Sequence, residues 1–230
     1  MSSWVKTKNT LLEKINFKNK TILDVGCGSG WFSIWVSNNG AKEIYGIDPL
    51  RDQIENAKRN SKNKKMNFKL GFAEDLPFKD NKFDCVFFFN SLHHVSTKFM
   101  NKAIEEAGRV VKETGDLYII EPLSEGTFNE TLKLIDDEKE IRFKAYESIK
   151  EFCSDKVIFN KEIFYEEKIK FDNFSEFCST VLSADPGRKT NINKFKKELR
   201  NIFNNLSVVT DNKYQLIQPM RMNIIEFNKN

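Results

Sequence analysis

Residues 21–33 read TILDVGCGSGWFS, a short apolar run closed by Gly26, Gly28 and Gly30. The run has the length and β-branched character of a buried strand. The segment behind it, SGWFSIWVSNNG, has helical spacing, with Ser29 as its expected cap, Ile34 and Trp35 toward the core, and NNG as its stop. Glycines carry no Cβ, so such a strand–turn–helix turns tightly and brings backbone N–H groups against a ligand. The helix N-terminus adds partial positive charge for an anionic group.

Outward from this stretch the pattern recurs. EIYGID (43–48), NFKLGF (67–72), FDCVFFFN (83–90) and GDLYIIEP (115–122) read as strands. RDQIENAKRNSK (51–62) reads as a helix, as does KFMNKAIEEAGRVVK (98–112), striped by Ala103, Ala107, Val110 and Val111. Alternating helices and near-continuously apolar strands predict an α/β class: a doubly wound, mostly parallel sheet with helices on both faces. Residues 3–16 predict an amphipathic helix with Trp4, Leu11, Leu12 and Ile15 on one face. From 123 the rhythm changes. Residues 126–152 read as one long helix or two short ones, 157–171 as a strand, 173–183 and 191–206 as helices, and 214–227 as a closing seventh strand.

Composition narrows the function. Lys plus Arg is 37 and Asp plus Glu is 33, a net charge of +4 that does not argue for a nucleic-acid partner. Cys27, Cys85, Cys153 and Cys178 form no CxxC pair, so neither a disulfide framework nor a zinc set is expected, and a cytoplasmic location follows. The first twenty residues hold no apolar stretch long enough for a signal peptide or a membrane span.

Asp48 ends the second strand 22 residues after Gly26, the spacing at which a carboxylate accepts hydrogen bonds from both hydroxyls of a ribose. The glycines follow GxGxG, not GxGxxG, and no phosphate-binding Lys-Ser/Thr follows them. GFAEDLPF (71–78) lies where an adenine edge would fall.

LDVGCGSGWFS, YGIDPL, AEDLPF and FDCVFFFNSLHHV together resemble the class I S-adenosylmethionine-dependent methyltransferases, in their ubiquinone/menaquinone-biosynthesis-like, type 11 branch. The resemblance covers about residues 20–122. It implies a Rossmann-like fold with a helical cap, S-adenosyl-L-methionine as cofactor and S-adenosyl-L-homocysteine as product. It implies that Gly26, Cys27, Gly28 and Gly30 pass beneath the cofactor's methionine part and that Asp24 orients that loop and the amino group. Asp48 would hold the ribose, with Pro49 and Leu50 beside the adenine, Ala73 and Glu74 at its edge, and Asn90 and Ser91 near the reactive methyl. Many relatives carry Asp before the Ala-Glu pair; here it is Phe72. Either Phe72 packs against the adenine while a backbone N–H reads the ring, or Glu74 or Asp75 takes over.

The expected organisation is one methyltransferase domain over 1–230: an N-terminal lid helix (1–19), a cofactor-binding core (20–122), a variable substrate cap (123–213) and a closing strand (214–230). His93 and His94, the only histidines, follow the fourth strand and are the candidate bases. Glu121, ending the fifth strand, is a candidate base, cation binder or structural cap. Arg142, Tyr146 and Arg188 are candidate contacts to an anionic substrate, against a packing role for each. Trp4, Trp31 and Trp35 are candidate sulfonium neighbours, with Trp35 assigned to the core.

NSLHHV after the fourth strand is not the Asn/Asp-Pro-Pro-aromatic pattern of enzymes acting on base amino groups. Cys27 and Cys85 are misplaced for a cytosine-C5 nucleophile, and Cys153 and Cys178 supply no arsenic-binding trio. A nicotinamide-dependent dehydrogenase fits less, since the third glycine comes one position early and no Tyr-xxx-Lys follows the fourth strand. The reading is a methyltransferase acting on a small-molecule O or N acceptor, as monomer or homodimer, without metal. The alternatives are an RNA methyltransferase or a non-catalytic cofactor-binding module.

Overall fold

The computed structural model describes residues 4–61 and 64–227, the side chains of 154–160 and 227 excepted. In chain order the elements are α1 (Val5–Lys14), β1 (Thr21–Val25), α2 (Trp31–Asn38), β2 (Glu43–Asp48), α3 (Arg51–Asn60), β3 (Met66–Leu70), β4 (Phe83–Phe89), α4 (Met100–Val110), β5 (Val111–Pro122), α5 (Gly126–Leu132), α6 (Lys139–Lys156), β6 (Val157–Phe171), α7 (Phe174–Ala184), α8 (Lys189–Lys194), α9 (Lys196–Leu206), β7 (Val208–Thr210) and β8 (Lys213–Phe227). The sheet runs β3-β2-β1-β4-β5-β8-β6, and β7 pairs with β8. β1 through β5 pair in parallel, and β7 and β8 pair antiparallel. This is the Rossmann-like, doubly wound, mostly parallel α/β fold expected from the alternating pattern, with an eighth strand added.

The chain groups into two compact units. The first takes residues 16–121, 141–163 and 221–227, and the second takes 4–15, 122–140 and 164–220, within the described residues. In the first unit, β4 is buried on both faces, which is why FDCVFFF reads as a continuous apolar run. Met100, Ala103, Ile104, Ala107 and Val110 of α4 pack with Leu23, Val86, Phe88 and Ile119. Phe32 of α2 packs against Phe87 and Phe89, with ring centroids 5.2 and 5.0 Å away. Burying each such ring stabilises the fold by roughly 1.5–3 kcal/mol.

The second unit is built around Phe171, Phe174, Phe177 and Phe203. Its buried polar groups serve its own elements. Glu167 accepts from the N–H groups of Lys6 and Thr7, at 3.1 and 2.8 Å, and so satisfies first-turn donors of α1. The Thr7 hydroxyl contacts Glu167 and Tyr165 as well.

Several local expectations change. Ser29 does not cap α2. Gly30 stands at the cap position with φ 83°, and no side chain caps it. Phe32, Ser33 and Val36 are the buried face of α2, while Ile34 and Trp35 are half-buried. In α1, Leu11 and Ile15 are buried but Leu12 is exposed. Residues 126–152 form two helices, and 191–206 breaks at Phe195. β7 is an unexpected strand, closed onto β8 by Asp211 and Asn212 at φ 53° and 59°, the left-handed pair of a tight hairpin turn. Residue 3 of the first expected helix, residue 62 of the third and residues 228–230 of the closing segment lie outside the described residues.

Candidate active site

The parallel register sets the site. Val25 pairs with Ile47 and Phe88, and Phe88 with Ile119, so Gly26, Asp48, Asn90 and Glu121 leave the sheet side by side. Between β1 and β4 the strand order reverses, the point outside whose carboxyl ends open α/β sheets take their ligands.

The glycine turn is shaped by contacts on one side only. The N–H groups of Gly26 and Cys27 both donate to the Ile47 carbonyl, at 2.8 and 3.0 Å. Gly26 has φ 74°, and a Cβ there would lie 2.4 Å from the Ser91 Cβ. At Gly30, φ 83°, a Cβ would meet Phe68 and Ala57 at 3.0 and 3.1 Å. Gly28 differs: φ is 51°, and nothing lies within 4 Å of a Cβ. Gly26 and Gly30 are thus needed for packing, whereas Gly28 presents bare backbone to open space. Gly46, which the sequence reading passed over, lets Phe68 and Cys27 close beneath the turn, since its Cβ would meet Phe68 at 2.5 Å and the Cys27 Sγ at 2.8 Å. A glycine inside a strand is the signal that points to such an approach. Burial pushes the Cys27 thiol well up, so it stays protonated.

Two buried acids flank the turn. Asp48 accepts from Gly28 N–H through Oδ2 and from Leu50 N–H through Oδ1, both at 2.9 Å. Burial raises its carboxyl above the usual range despite those bonds. Asp24 is buried and accepts from the Ser33 hydroxyl at 2.6 Å, tying β1 to α2 across the turn. Burial, with the Asp48 charge adding to it, pushes Asp24 up to about 7. Two acids held up by desolvation form a place where a cation is stabilised. Pro49 and Leu50 follow Asp48 as an exposed corner.

At the end of β4, Asn90 takes φ 50°, and its buried Oδ1 has no hydrogen-bond partner among the described residues. Ser91 is a strut: its hydroxyl donates to the Val25 carbonyl at 2.6 Å and fills the space beside Gly26. Glu121 accepts from the Ser91 and Leu92 N–H groups through Oε1, at 3.2 and 2.9 Å, while Oε2 meets His93 Nδ1. Burial acts to raise Glu121, but His93 and His94 outweigh it and hold the carboxyl below its ordinary value. His93 is buried and His94 is exposed, with ring centroids 4.1 Å apart. Trp31 packs edge-on against Phe89, with centroids 5.0 Å apart.

The loop after β3 folds as a small turn in which Asp75 N–H donates to the Phe72 carbonyl at 3.3 Å. Phe72 is 57% exposed, Ala73 packs against the main core, Glu74 is half-buried and Asp75 is exposed. Glu106 and Arg109 hold this loop, unforeseen from the sequence. Leu76 N–H donates to Glu106 at 3.0 Å, and Arg109 donates to the Leu76 and Phe78 carbonyls, to Asp80 and to Glu106. An acid three residues before an arginine on the inner face of α4 was the available signal.

The remaining candidates separate. Arg188, in the second unit, donates to Asp136 and Glu138 at 2.7 and 2.9 Å and to the Val181 carbonyl at 3.4 Å, a closed structural set. Tyr146 donates to Glu162 at 3.3 Å and lies under the Arg221 guanidinium. Arg142 is buried.

The features a sulfonium nucleoside requires are present: an open bare backbone at Gly28, a carboxylate at the end of β2, buried acids for a cationic group, and an unspent Asn90 oxygen. Residues 23–119 match the family described as Methyltransferase domain. The uncharacterized methyltransferase YcgJ of Bacillus subtilis is 31% identical over 103 residues, 44% of this chain and 40% of that protein. Its crystal structure superposes with a TM-score of 0.62 at 19% identity, covering 96% of this chain and 97% of that one. Malonyl-[acyl-carrier protein] O-methyltransferase of Buchnera aphidicola is 34% identical over 153 residues, 64% of this chain and 60% of that protein. A tRNA U34 carboxymethyltransferase of Nautilia profundicola is 30% identical over 116 residues, 46% of this chain and 38% of that protein. The chain thus spans less than two thirds of the length of each of these curated relatives. Among the described residues no helix is long and apolar enough to cross a membrane. Residues 23–119 thus match a methyltransferase domain, in keeping with the resemblance of that segment to the class I methyltransferases, whose cofactor is S-adenosylmethionine.

Proposed function

We propose that this chain transfers a methyl group from S-adenosylmethionine to an oxygen or nitrogen of a small molecule. The observation that carries the reading is the meeting of the Gly28 turn, Asp48 and the buried His93–Glu121 pair at one sheet edge. When bound, the cofactor supplies an electrophilic methyl group on positively charged sulfur.

The rest is the work of the chain. Residues 20–122 are the cofactor part of the domain. Gly26, Cys27, Gly28 and Gly30 form the floor under the amino-acid end, Asp24 attracts its amino group, and Asp48 accepts the ribose hydroxyls with its remaining lone pairs. Leu50 and Phe72 offer apolar surface to the adenine, and Ala73 and Glu74 border it. Asn90 offers its oxygen at the end of β4. Glu121 engages Nδ1 of His93 and so holds the imidazole as the base that takes the acceptor's proton. The carboxylate then stabilises the imidazolium that forms. General-base assistance is worth ~10²–10⁴-fold and orientation roughly 7–11 kcal/mol. His94, on the exposed side, is the second candidate base.

One observation favours an RNA acceptor instead: a relative of 30% identity whose name is that of a tRNA-modifying enzyme. The net charge of +4 weighs against it. Release of S-adenosylhomocysteine, followed with a library of small hydroxyl and amine compounds and in parallel with bulk tRNA, tests the reading. Turnover with small compounds alone supports it, turnover with tRNA alone selects the RNA reading, and tight cofactor binding without turnover on either selects a non-catalytic module.

A further inference from the structure

Arg221 is a buried charge that the site described above does not use. It lies in β8 among Met220, Met222 and Ile225, all buried, and is itself only 6% exposed. Its Nε donates to the Asn223 Oδ1 at 2.9 Å, and the guanidinium carbon sits 3.6 Å over the Tyr146 ring. Among the described residues it makes no ion pair.

The acids around it are engaged elsewhere. Glu162 accepts from the Tyr146 hydroxyl at 3.3 Å and from the Asn223 amide at 2.8 Å. Glu121 is bound to two backbone N–H groups and to His93. A guanidinium has five N–H donors, and among the described residues one is used. The terminal nitrogens are not among the sealed, unpartnered atoms, so the open edge of the fork reaches solvent. β8 lies beside β5, the strand that carries Glu121, and burial lowers the guanidinium below its ordinary value while Tyr146, Glu162 and Glu121 act against that shift. The contrast with Arg188 is direct: that buried arginine has two carboxylates and a carbonyl, as a structural arginine should.

We propose that Arg221, held flat by Tyr146 and Asn223, is an oxyanion subsite for the methyl acceptor, so that the acceptor is a small molecule bearing a carboxylate or phosphate. A fixed planar fork suits bidentate contact with either group. An acceptor anchored there extends toward Glu121 and His93. The inference rests on the methyltransferase reading for the identity of the ligand, not for the existence of the anion site.

Calorimetry with benzoate, phenyl phosphate and neutral benzamide tests it on the full chain, free and loaded with S-adenosylhomocysteine. The expected result is binding of at least one acid and not of benzamide, weakened about tenfold or more by Arg221→Met and partly regained by Arg221→Lys. Benzoate alone assigns a carboxylate acceptor, phenyl phosphate alone a phosphate, and both support the subsite. Affinity for S-adenosylhomocysteine should change by no more than about twofold in Arg221→Met, a margin of roughly 0.4 kcal/mol. Should Arg221→Met fail to fold, Tyr146→Leu removes the stacking platform and should weaken the same acids by about threefold or more. The proposal is overturned if the wild type binds neither acid at roughly 10 mM, or if the variant that folds binds them as the wild type does. Loss of S-adenosylhomocysteine binding by the wild type would instead overturn the cofactor reading.

Discussion

The two units differ in how some of their buried charge is answered. In the second, Arg188 meets Asp136 and Glu138, and Glu167 meets the first-turn N–H groups of α1, so each buried charge is answered within the unit. In the first, Asp24 and Asp48 are held up by burial with no cationic partner among the described residues, and Arg221 is left with an open fork. Uncompensated burial costs several kcal/mol per ion unless something answers it. Glu106 with Arg109 and Glu121 with His93 are answered inside the first unit too, so the comparison singles out Asp24, Asp48 and Arg221 as the charges that a ligand would answer.

The widest gap should come from two glycines of one turn. Gly26→Ala combines a left-handed φ with a 2.4 Å approach to Ser91, so about 2–5 kcal/mol of stability should be lost in denaturant melts. Gly28→Ala meets no protein atom and should cost only about 1–2 kcal/mol, yet it should weaken S-adenosylhomocysteine binding. Equal stability losses would erase the distinction between packing and binding glycines. In the second unit, Arg188→Met takes the guanidinium away from Asp136 and Glu138 and should lower stability by about 3 kcal/mol, with cofactor affinity per folded molecule unchanged. A fall in affinity would break the comparison between the units.

Smaller effects sharpen it. Glu121→Gln keeps hydrogen bonding but removes the charge behind His93, so turnover should drop ~10–100-fold while cofactor affinity holds. An unchanged rate would reduce Glu121 to a cap for the Ser91 and Leu92 N–H groups. The pH effect is the subtlest. Asp24 ordinarily titrates near 3.8 and here near 7, so the folded state holds a proton that the unfolded state has released. Stability is therefore fully present below about 4 and declines as pH rises toward 7, and Asp24→Asn should flatten that slope. Cofactor binding below pH 7 should release a proton, visible as a buffer-dependent heat. A buffer-independent heat would remove Asp24 from the cofactor's amino group.

What could be read from the sequence follows the same division. TILDV, the three glycines and Asp48 were legible because their constraint is local: a bare turn, then an acid one strand away. β7 was not, because three exposed residues carry no burial pattern and only the Asp211-Asn212 turn announces them. Ser29 failed as a cap because the backbone spends that position turning toward Gly30. Glu106 and Arg109 were missed because the loop that they hold lies 30 to 33 residues away, and Arg221 because an arginine in an apolar strand reads as an interruption until the Tyr146 ring is placed under it. Arg188, raised as an anion contact, is occupied by acids 50 and 52 residues away.

The central claim is that bare backbone at Gly28 and the carboxylate of Asp48 hold an adenosyl nucleoside at the sheet edge. Titration calorimetry of S-adenosylhomocysteine into the wild type and Asp48→Ala tests it most directly. The expected result is saturable one-site binding to the wild type, weakened ~100-fold or more, about 3 kcal/mol, in the variant. Equal affinity in the two proteins, or no binding to the wild type, would contradict it.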